Sequence, residues 1–393
     1  MNIVLGAYLL SGAPGYRQAG VHRYAQYLLR EIPKAAAHHP EAHFTALISP
    51  TAAPKDLSIS NFQLSILTAS RTTEQPFSRI IVEQVKTPRV LRRLEADLYH
   101  GLGFVAPLRA PCPTVVTVFD LSFATQPGTH KPMNRIYLSL FTRWSCRRAA
   151  RVIAISEWTK RDVAQHFGVA PDKIDAIPLG VDHDLFKPQP PEAVAAFRTQ
   201  QGIGDHAVLY LGSLEPRKNL LRLIEAFSQL KTKDSELKTQ LIIGGSPAWK
   251  YDEVFVRIRQ LGLEDHVRLI GRVSDEDLPK WYSACAVMAY PSLYEGFGLP
   301  PLEAMACGAP VVTSNVTSLP EVVGDAGITV DPTDVRALAE ALHCVLNDEA
   351  LRAELRAKSL ARAARFTWQR TAAQTIACYF KVAPGWRKRS TGS

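Results

Sequence analysis

The sequence predicts an α/β protein built from two doubly wound parallel sheets, and three observations carry that prediction. Its 393 residues exceed what one core holds, since domains run to roughly 150 residues each. Short apolar runs alternate with amphipathic segments through both halves, as they must when each strand needs a crossover helix to reach its parallel neighbour. The stretch IPLGVDHDLFKPQPP separates two such series, and its Pro188, Pro190 and Pro191 cannot lie inside a regular element.

In chain order, residues 2–9 (NIVLGAYL), 44–49, 62–67, 97–100 (DLYH), 113–119 and 151–155 read as short buried strands. Between them, residues 19–34 place Val21, Tyr24, Leu28 and Ile32 at helical spacing, and 133–149 form a second amphipathic helix. The second series runs through 207–213, 240–245, 267–270, 286–290 and 310–313 and ends in one long Ala/Arg/Leu helix near 334–365. A last helical segment, about 367–382, follows a break at Phe366-Thr367 and so is free to dock elsewhere than on the second domain. The expected division is therefore 1–184, 185–366 and a final 367–393 comprising a helix and a basic tail.

Composition restricts the class. At 46% hydrophobic and 21% charged residues, with mean hydropathy −0.05, the chain has the balance of a folded soluble protein. No apolar run reaches the roughly 18 residues of a membrane span. The start, MNIVLGAYLL, lacks a basic leader and a small-residue cleavage site, so it reads as a first strand and not as a signal peptide. Six cysteines without a C-x-x-C or a His/Cys cluster fit a reduced, cytoplasmic setting and argue against structural zinc. Net charge is +9, and its distribution is uneven: residues 1–180 hold 21 Lys+Arg against 12 Asp+Glu, whereas residues 181–393 hold 25 of each. An acidic partner for the first half, or charges scattered for solubility, both fit that asymmetry.

Two segments carry chemistry. In GSLEPRKNL (212–220), between a strand and a helix, Arg217 and Lys218 form a site for a diphosphate, or else a solvated pair at a turn. In YPSLYEGFGLPPLEAMACGAPVVTS (290–314), Glu295 sits in a turn with Gly296 and Gly298, and Pro300 and Pro301 suit a helix start. Glu303 is then expected in the first turn of that helix, where it either serves the site or only caps the dipole. Two carboxylates eight residues apart suit sugar hydroxyls. A glycosidase would also pair two carboxylates, but it has no need of an Arg-Lys diphosphate site. Asp182-His183-Asp184 spells D-x-D in the proline-rich stretch, where linker and not metal binding is expected. The Arg147-Arg148 and Arg151 cluster has no interleaved aromatic residues of a nucleic-acid module, so no nucleic-acid partner is expected.

Gly20, SEWTKRDV (156–163), IPLGVD (177–182), GSLEPRKNL, the 271–292 segment GRVSDEDLPKWYSACAVMAYPS, EGFGLPPLEAMACGAPVVTS (295–314) and LPEVVGDAG (319–327) together resemble the retaining, nucleotide-sugar-dependent glycosyltransferase family four. The resemblance runs in order over nearly the whole chain. It implies a GT-B fold of two Rossmann-like domains facing each other across a cleft, the first binding the acceptor, the second the donor, with the final helix crossing back onto the first. It further implies that Arg217 and Lys218 neutralise the donor diphosphate and that Glu295 holds the donor sugar. The amides of Phe297, Gly298 and Leu299, after Gly296, would lie against sugar and phosphate, with Glu303 on the ribose. Gly20 would close on the diphosphate, and the main chain at Arg272 and Val273 would face the base.

One departure stands out: many relatives have His-Asp where this chain has Phe119-Asp120. Either Asp120 takes the sugar contact or that role is absent; strand packing for Phe119 and a turn or N-cap for Asp120 are the plain alternatives. The resemblance implies a retaining hexosyltransferase with no metal or other cofactor, since the leaving diphosphate can itself accept the acceptor's proton. Mannose from GDP-mannose is the first expectation for the donor, and a UDP-sugar the next. The acceptor would be a saccharide or lipid-linked saccharide of bacterial cell-surface polysaccharide synthesis. The location would be cytoplasmic, peripheral on an anionic inner membrane face where the basic half meets it. A nucleotide-sugar epimerase or hydrolase on the same fold, and a non-catalytic binding protein, are the competing classes.

Overall fold

The computed structural model describes residues 1–10, 20–37, 39–52, 64–69, 73, 76–126, 132–233, 239–246 and 251–382. Residues 19, 62 and 63 of the expected elements and the basic tail after 382 lie outside the described residues. The chain divides into two compact units, one comprising Met1–Gly180 and the chain from Trp368 onward, the other Val181–Thr367.

The first unit is built on β1 (Asn2–Ala7), β2 (His43–Ile48), β3 (Leu64–Thr68), β4 (Leu98–Gly101), β5 (Thr114–Val118), β6 (Arg151–Ala154) and β7 (Ile174–Ala176). Their order is β3-β2-β1-β4-β5-β6-β7, every pair parallel. β4 and β5 are buried at every position, as strands covered on both faces must be. The helix Gly20–Ala35 buries Tyr24, Leu28, Leu29 and Ile32 on one stripe. Segment 76–93, unassigned in the sequence reading, is helical, with a π-helical turn at Val82–Lys86. Helix Glu157–Phe167 starts where the Ser156 hydroxyl accepts the Thr159 amide at 2.9 Å and ends at Gly168 in the left-handed region.

The last helix, Trp368–Val382, belongs to this unit and packs on helix Gly20–Ala35, where Tyr27 stacks on Trp368 at 4.9 Å and 7°. A buried polar chain completes the attachment. His100 at the end of β4 has Nδ1 2.7 Å from the Tyr379 hydroxyl and Nε2 2.8 Å from the Thr117 hydroxyl of β5, which also meets the Tyr24 hydroxyl at 3.0 Å. Four elements are thereby joined through one imidazole, whose burial lowers its pKa to about 3.

The second unit carries β8 (His206–Leu211), β9 (Thr239–Gly244), β10 (Val267–Gly271), β11 (Val287–Tyr290), β12 (Val311–Ser314) and β13 (Ile328–Val330), ordered β10-β9-β8-β11-β12-β13 and all parallel. Here the structure corrects one expectation: the long helix of 334–365 is two helices, Val335–Asn347 and Glu349–Ala363. Asp348 leaves helical geometry (φ −111°, ψ 102°), and its carboxylate accepts the Leu351 amide at 2.8 Å to start the second helix. The edge strands β7 and β13 went unassigned because three residues each are too few for a periodic signal. None of the six cysteines is paired. No helix among the described residues is long and apolar enough to cross a membrane.

A histidine free in an unfolded chain titrates near 6.5, so between about pH 3 and 6.5 the unfolded state binds a proton that folded His100 refuses. Its contribution to stability is complete above that window and is lost as pH falls through it, at up to about 1.4 kcal/mol per pH unit. Urea unfolding of wild type and His100→Gln from about pH 4 to about pH 7 measures this: the wild-type slope should exceed that of the variant, and parallel slopes would refute the assignment.

Candidate active site

In the second unit the chain runs from β8 through β9 to β10 on one side, and from β11 through β12 to β13 on the other. The direction reverses between the neighbours β8 and β11, and a parallel sheet opens a crevice for ligands where its topology switches, outside the carboxyl ends of those strands. The segment after β8 bears Arg217 and Lys218, and the segment after β11 bears Glu295.

After β8, a 3-10 turn Pro216–Lys218 leads into helix Leu220–Lys233 through Asn219, which adopts φ 63°, a left-handed conformation that asparagine tolerates better than most residues. The Asn219 amide nitrogen donates to the Pro291 carbonyl at 3.0 Å and to the Pro332 carbonyl at 2.6 Å, tying this turn to the end of β11. Lys218 is 5% exposed, so it is not the solvated turn residue that the tetrapeptide alone allowed. Its ammonium donates to Glu295 Oε1 and, at 2.8 Å, to the Tyr290 hydroxyl. Arg217 donates through Nη1 to Glu295 Oε2 at 3.3 Å and to the Tyr294 carbonyl at 3.1 Å. Its Nη2 pairs with Glu215 Oε1 at 2.7 Å, which also accepts from the Ser213 hydroxyl at 2.8 Å.

Two cations and two carboxylates thus sit together with little water. Burial alone would raise the Glu295 carboxyl, but the Lys218 and Arg217 charges outweigh it and hold the group at about 2. Burial, helped by Arg217, lowers Lys218 below the ordinary lysine value, while Glu295 and Glu215 oppose the shift. Glu295 is an anion across the neutral range, and its oxygens are already aimed at donors.

The loop that presents Glu295 is held from behind. The Ser318 hydroxyl donates to the carbonyls of Glu295 at 2.9 Å and Phe297 at 2.8 Å, and the Glu295 amide donates to the Thr317 hydroxyl at 3.3 Å. Gly298 has φ 116°, and a Cβ there would come within 2.8 Å of Leu319 Cδ2, so this position requires glycine. Gly298 caps helix Leu299–Ala306. Because Pro300 and Pro301 bring no N–H, the amides this end presents are those of Phe297, Gly298 and Leu299. Glu303 is the fifth residue of the helix and not in its first turn, which corrects the sequence expectation and removes dipole capping as its explanation. It is buried, and its Oε2 accepts from the Tyr282 hydroxyl at 3.2 Å.

Arg272 and Val273 follow Gly271 at the end of β10 and line an open cavity of about 280 Å³ with Arg268, Ser274, Asp277 and Trp281. Gly20 and Asp120 belong to the first unit. Gly20 opens helix Gly20–Ala35. Asp120 Oδ1 accepts the Ser122 amide at 2.8 Å and its hydroxyl at 2.7 Å, the local turn geometry its sequence context allowed. Phe119 is buried edge-on to Tyr24 at 5.2 Å. In the D-x-D, Asp182 Oδ1 accepts the Asp184 amide at 3.0 Å, and His183 Nε2 lies 3.2 Å from the Phe366 carbonyl. Among the described residues no group of three or more His, Cys, Asp or Glu is placed to hold a metal ion.

Sequence reasoning missed Glu215, Tyr290 and Ser318. Glu215 carried a signal, a charge two residues from Arg217 with no other role; Tyr290 and Ser318 reach the site only through the fold.

Comparison with known proteins identifies the family and the fold. Residues 19–185 match the model of Glycosyltransferase Family 4, and residues 195–362 that of Glycosyl transferases group 1. The chain is 37% identical over 290 residues to O-antigen chain mannosyltransferase B of Escherichia coli, covering 74% of this chain and 75% of that one. It is 30% identical over 319 residues to the MMP alpha-(1->4)-mannosyltransferase of Mycolicibacterium hassiacum, covering 76% and 74%. Among solved structures, sucrose-phosphate synthase from Thermosynechococcus elongatus shares the fold, with TM-score 0.74 and 22% identity over 98% of this chain and 99% of that one. With two parallel-sheet Rossmann-like units, a buried cation–carboxylate cluster at a switch point and these likenesses, the chain belongs to glycosyltransferase family four and is a glycosyltransferase of GT-B fold.

Proposed function

We propose that this glycosyltransferase moves mannose from GDP-mannose to a hydroxyl of a saccharide or lipid-linked saccharide acceptor, with retention of anomeric configuration, in the synthesis of a cell-surface polysaccharide. The Lys218–Glu295–Arg217 cluster carries the reading. A donor diphosphate would take over the two cations, which now share one carboxylate, and Glu295 would turn from its ion pairs to the hydroxyls of the donor sugar. The exchange conserves charge pairing in a water-poor place, where each charge-assisted bond counts for more than at an exposed surface. As the bond to the sugar breaks, negative charge grows on the diphosphate, and Arg217, Lys218 and the amides of Phe297, Gly298 and Leu299 would be the donors that meet it. The departing diphosphate oxygen takes the acceptor's proton, so the protein supplies orientation and electrostatics and needs no nucleophile.

Glu303, with Gly296 as a close backbone approach, would complete the second unit's donor contacts, and the chain at Arg272 and Val273 would face the base. Mannose is favoured by the mannosyltransferases among the relatives. Thermal stabilisation by a panel of nucleotide sugars tests the donor directly, because a ligand that binds only the folded state raises the midpoint; GDP-mannose should shift it most, and a larger shift by a UDP-sugar would replace this donor. We place the protein in the cytoplasm, with its basic first unit meeting an anionic membrane that presents the acceptor. Asp120, capped locally in the present geometry, has no assigned step.

Arg217→Ala should lower kcat/KM for the donor about 10- to 100-fold, the effect of one charge-assisted contact of roughly 1.5–3 kcal/mol, and cost some stability by leaving Glu215 and Glu295 short of a partner. Lys218→Ala should lower kcat/KM as far and destabilise the protein by about 3–5 kcal/mol, since it leaves the Glu295 charge buried without its main partner; adding Glu295→Gln should recover part of that stability in urea melts. Because the cations meet the diphosphate, transfer should also survive EDTA; complete loss on chelation, restored by Mn²⁺ or Mg²⁺, would overturn the metal-free reading.

A further inference from the structure

Among the described residues, seven large hydrophobic side chains are exposed, and three of them lie on one helix of the first unit: Ile136 (57% exposed), Leu140 (42%) and Trp144 (44%) on Pro132–Arg148. Their spacing of four residues sets them in a single stripe along the helix. The opposite side, with Thr142, Ser145 and Cys146, is buried and fixes which face looks outward. Tyr137 and Phe141 flank the stripe, ring to ring at 4.7 Å, and Phe141 meets Trp144 edge-on at 5.6 Å, so the outer face is aromatic as well as aliphatic. Arg143, Arg147 and Arg148 are exposed on that side too. The helix carries no acidic residue, and residues 101–150 hold six Lys/Arg against Asp120 alone.

Each kind of partner meets this face differently. A second copy would bring the same arginines against these ones without a carboxylate to pair them. A nucleic acid would satisfy the arginines but leave the apolar stripe in contact with phosphates and water. An anionic bilayer satisfies both: the stripe enters the boundary between headgroups and acyl chains, tryptophan and tyrosine sit at headgroup level, and the arginines meet lipid phosphates. We propose that the outward face of Pro132–Arg148, through Ile136, Leu140, Trp144 and the surrounding arginines, is the surface by which the first unit docks on an anionic membrane. The inference deepens the proposed reading, in which the acceptor is presented at such a membrane.

Sedimentation with phosphatidylglycerol-containing and pure phosphatidylcholine vesicles tests it, alongside transfer to a soluble saccharide. Wild type should bind the anionic vesicles about tenfold or more better than the neutral ones and lose binding as salt rises. Ile136→Ser/Leu140→Ser/Trp144→Ser and, separately, Arg143→Glu/Arg148→Glu should each reduce anionic binding by about tenfold or more, with transfer to the soluble acceptor unchanged. If the serine variant fails to fold, the Arg143→Glu/Arg148→Glu variant decides alone. Equal binding to both vesicles, or variants that bind like wild type, would overturn the surface, as would a wild-type dimer that ignores vesicles and that the serine variant dissociates. A wild type that shows the vesicle pattern but transfers no sugar would leave the docking face standing and remove the activity reading instead.

Discussion

A lysine with 5% exposure cannot stay charged in a folded protein unless something answers its charge, and the segments that follow β8 and β11 answer Lys218. Removing two ions from water costs more than a single contact returns, so a buried pair is weak evidence for stability. This one is completed by further donors and acceptors: Tyr290 on the lysine, and Arg217, Glu215 and Ser213 in sequence beyond the carboxylate. The backbone then has to hold two loops from different strands within hydrogen-bonding distance. Asn219 performs that at one end and Ser318 at the other, each by donating to carbonyls that no strand or helix would satisfy.

The same logic separates the two glutamates. Glu295 faces two cations and is held ionised at about 2. Glu303 accepts a hydrogen bond from the hydroxyl of Tyr282 on the helix Leu278–Ala284. Carboxylates eight residues apart therefore meet side chains from different elements, set by the fold around them and not by their spacing.

Much of this was legible in the sequence where a signal is local. The two α/β series, the cation pair and the glycine-flanked Glu295 all lie in short segments whose residue types have few other uses. Legibility failed where the deciding partner is distant or the deciding event is one residue long. Lys218 is buried because Tyr290 and Glu295, 72 and 77 residues away, enclose it, and no pattern around GSLEPRKNL records that. Asp348 interrupts a run of Ala, Arg and Leu that otherwise favours a continuous helix, and a single capping carboxylate outweighs the composition. His100 ends the short strand DLYH with no hint that Tyr379, 279 residues on, would be its partner.

That distance bears on how the molecule is made. The second unit is one continuous stretch, Val181–Thr367, whereas the first is interrupted and needs Trp368 onward to be whole. On a ribosome adding about 5–20 residues per second, the seven-stranded sheet therefore waits for roughly 10–40 s before the helix bearing Tyr379 exists to cover His100. The segment synthesised later can close its core first. Until then, the nascent first unit exposes the faces of Tyr24, Tyr27 and β4 that Trp368 and Tyr379 will cover, and in that interval a chaperone has most reason to hold it.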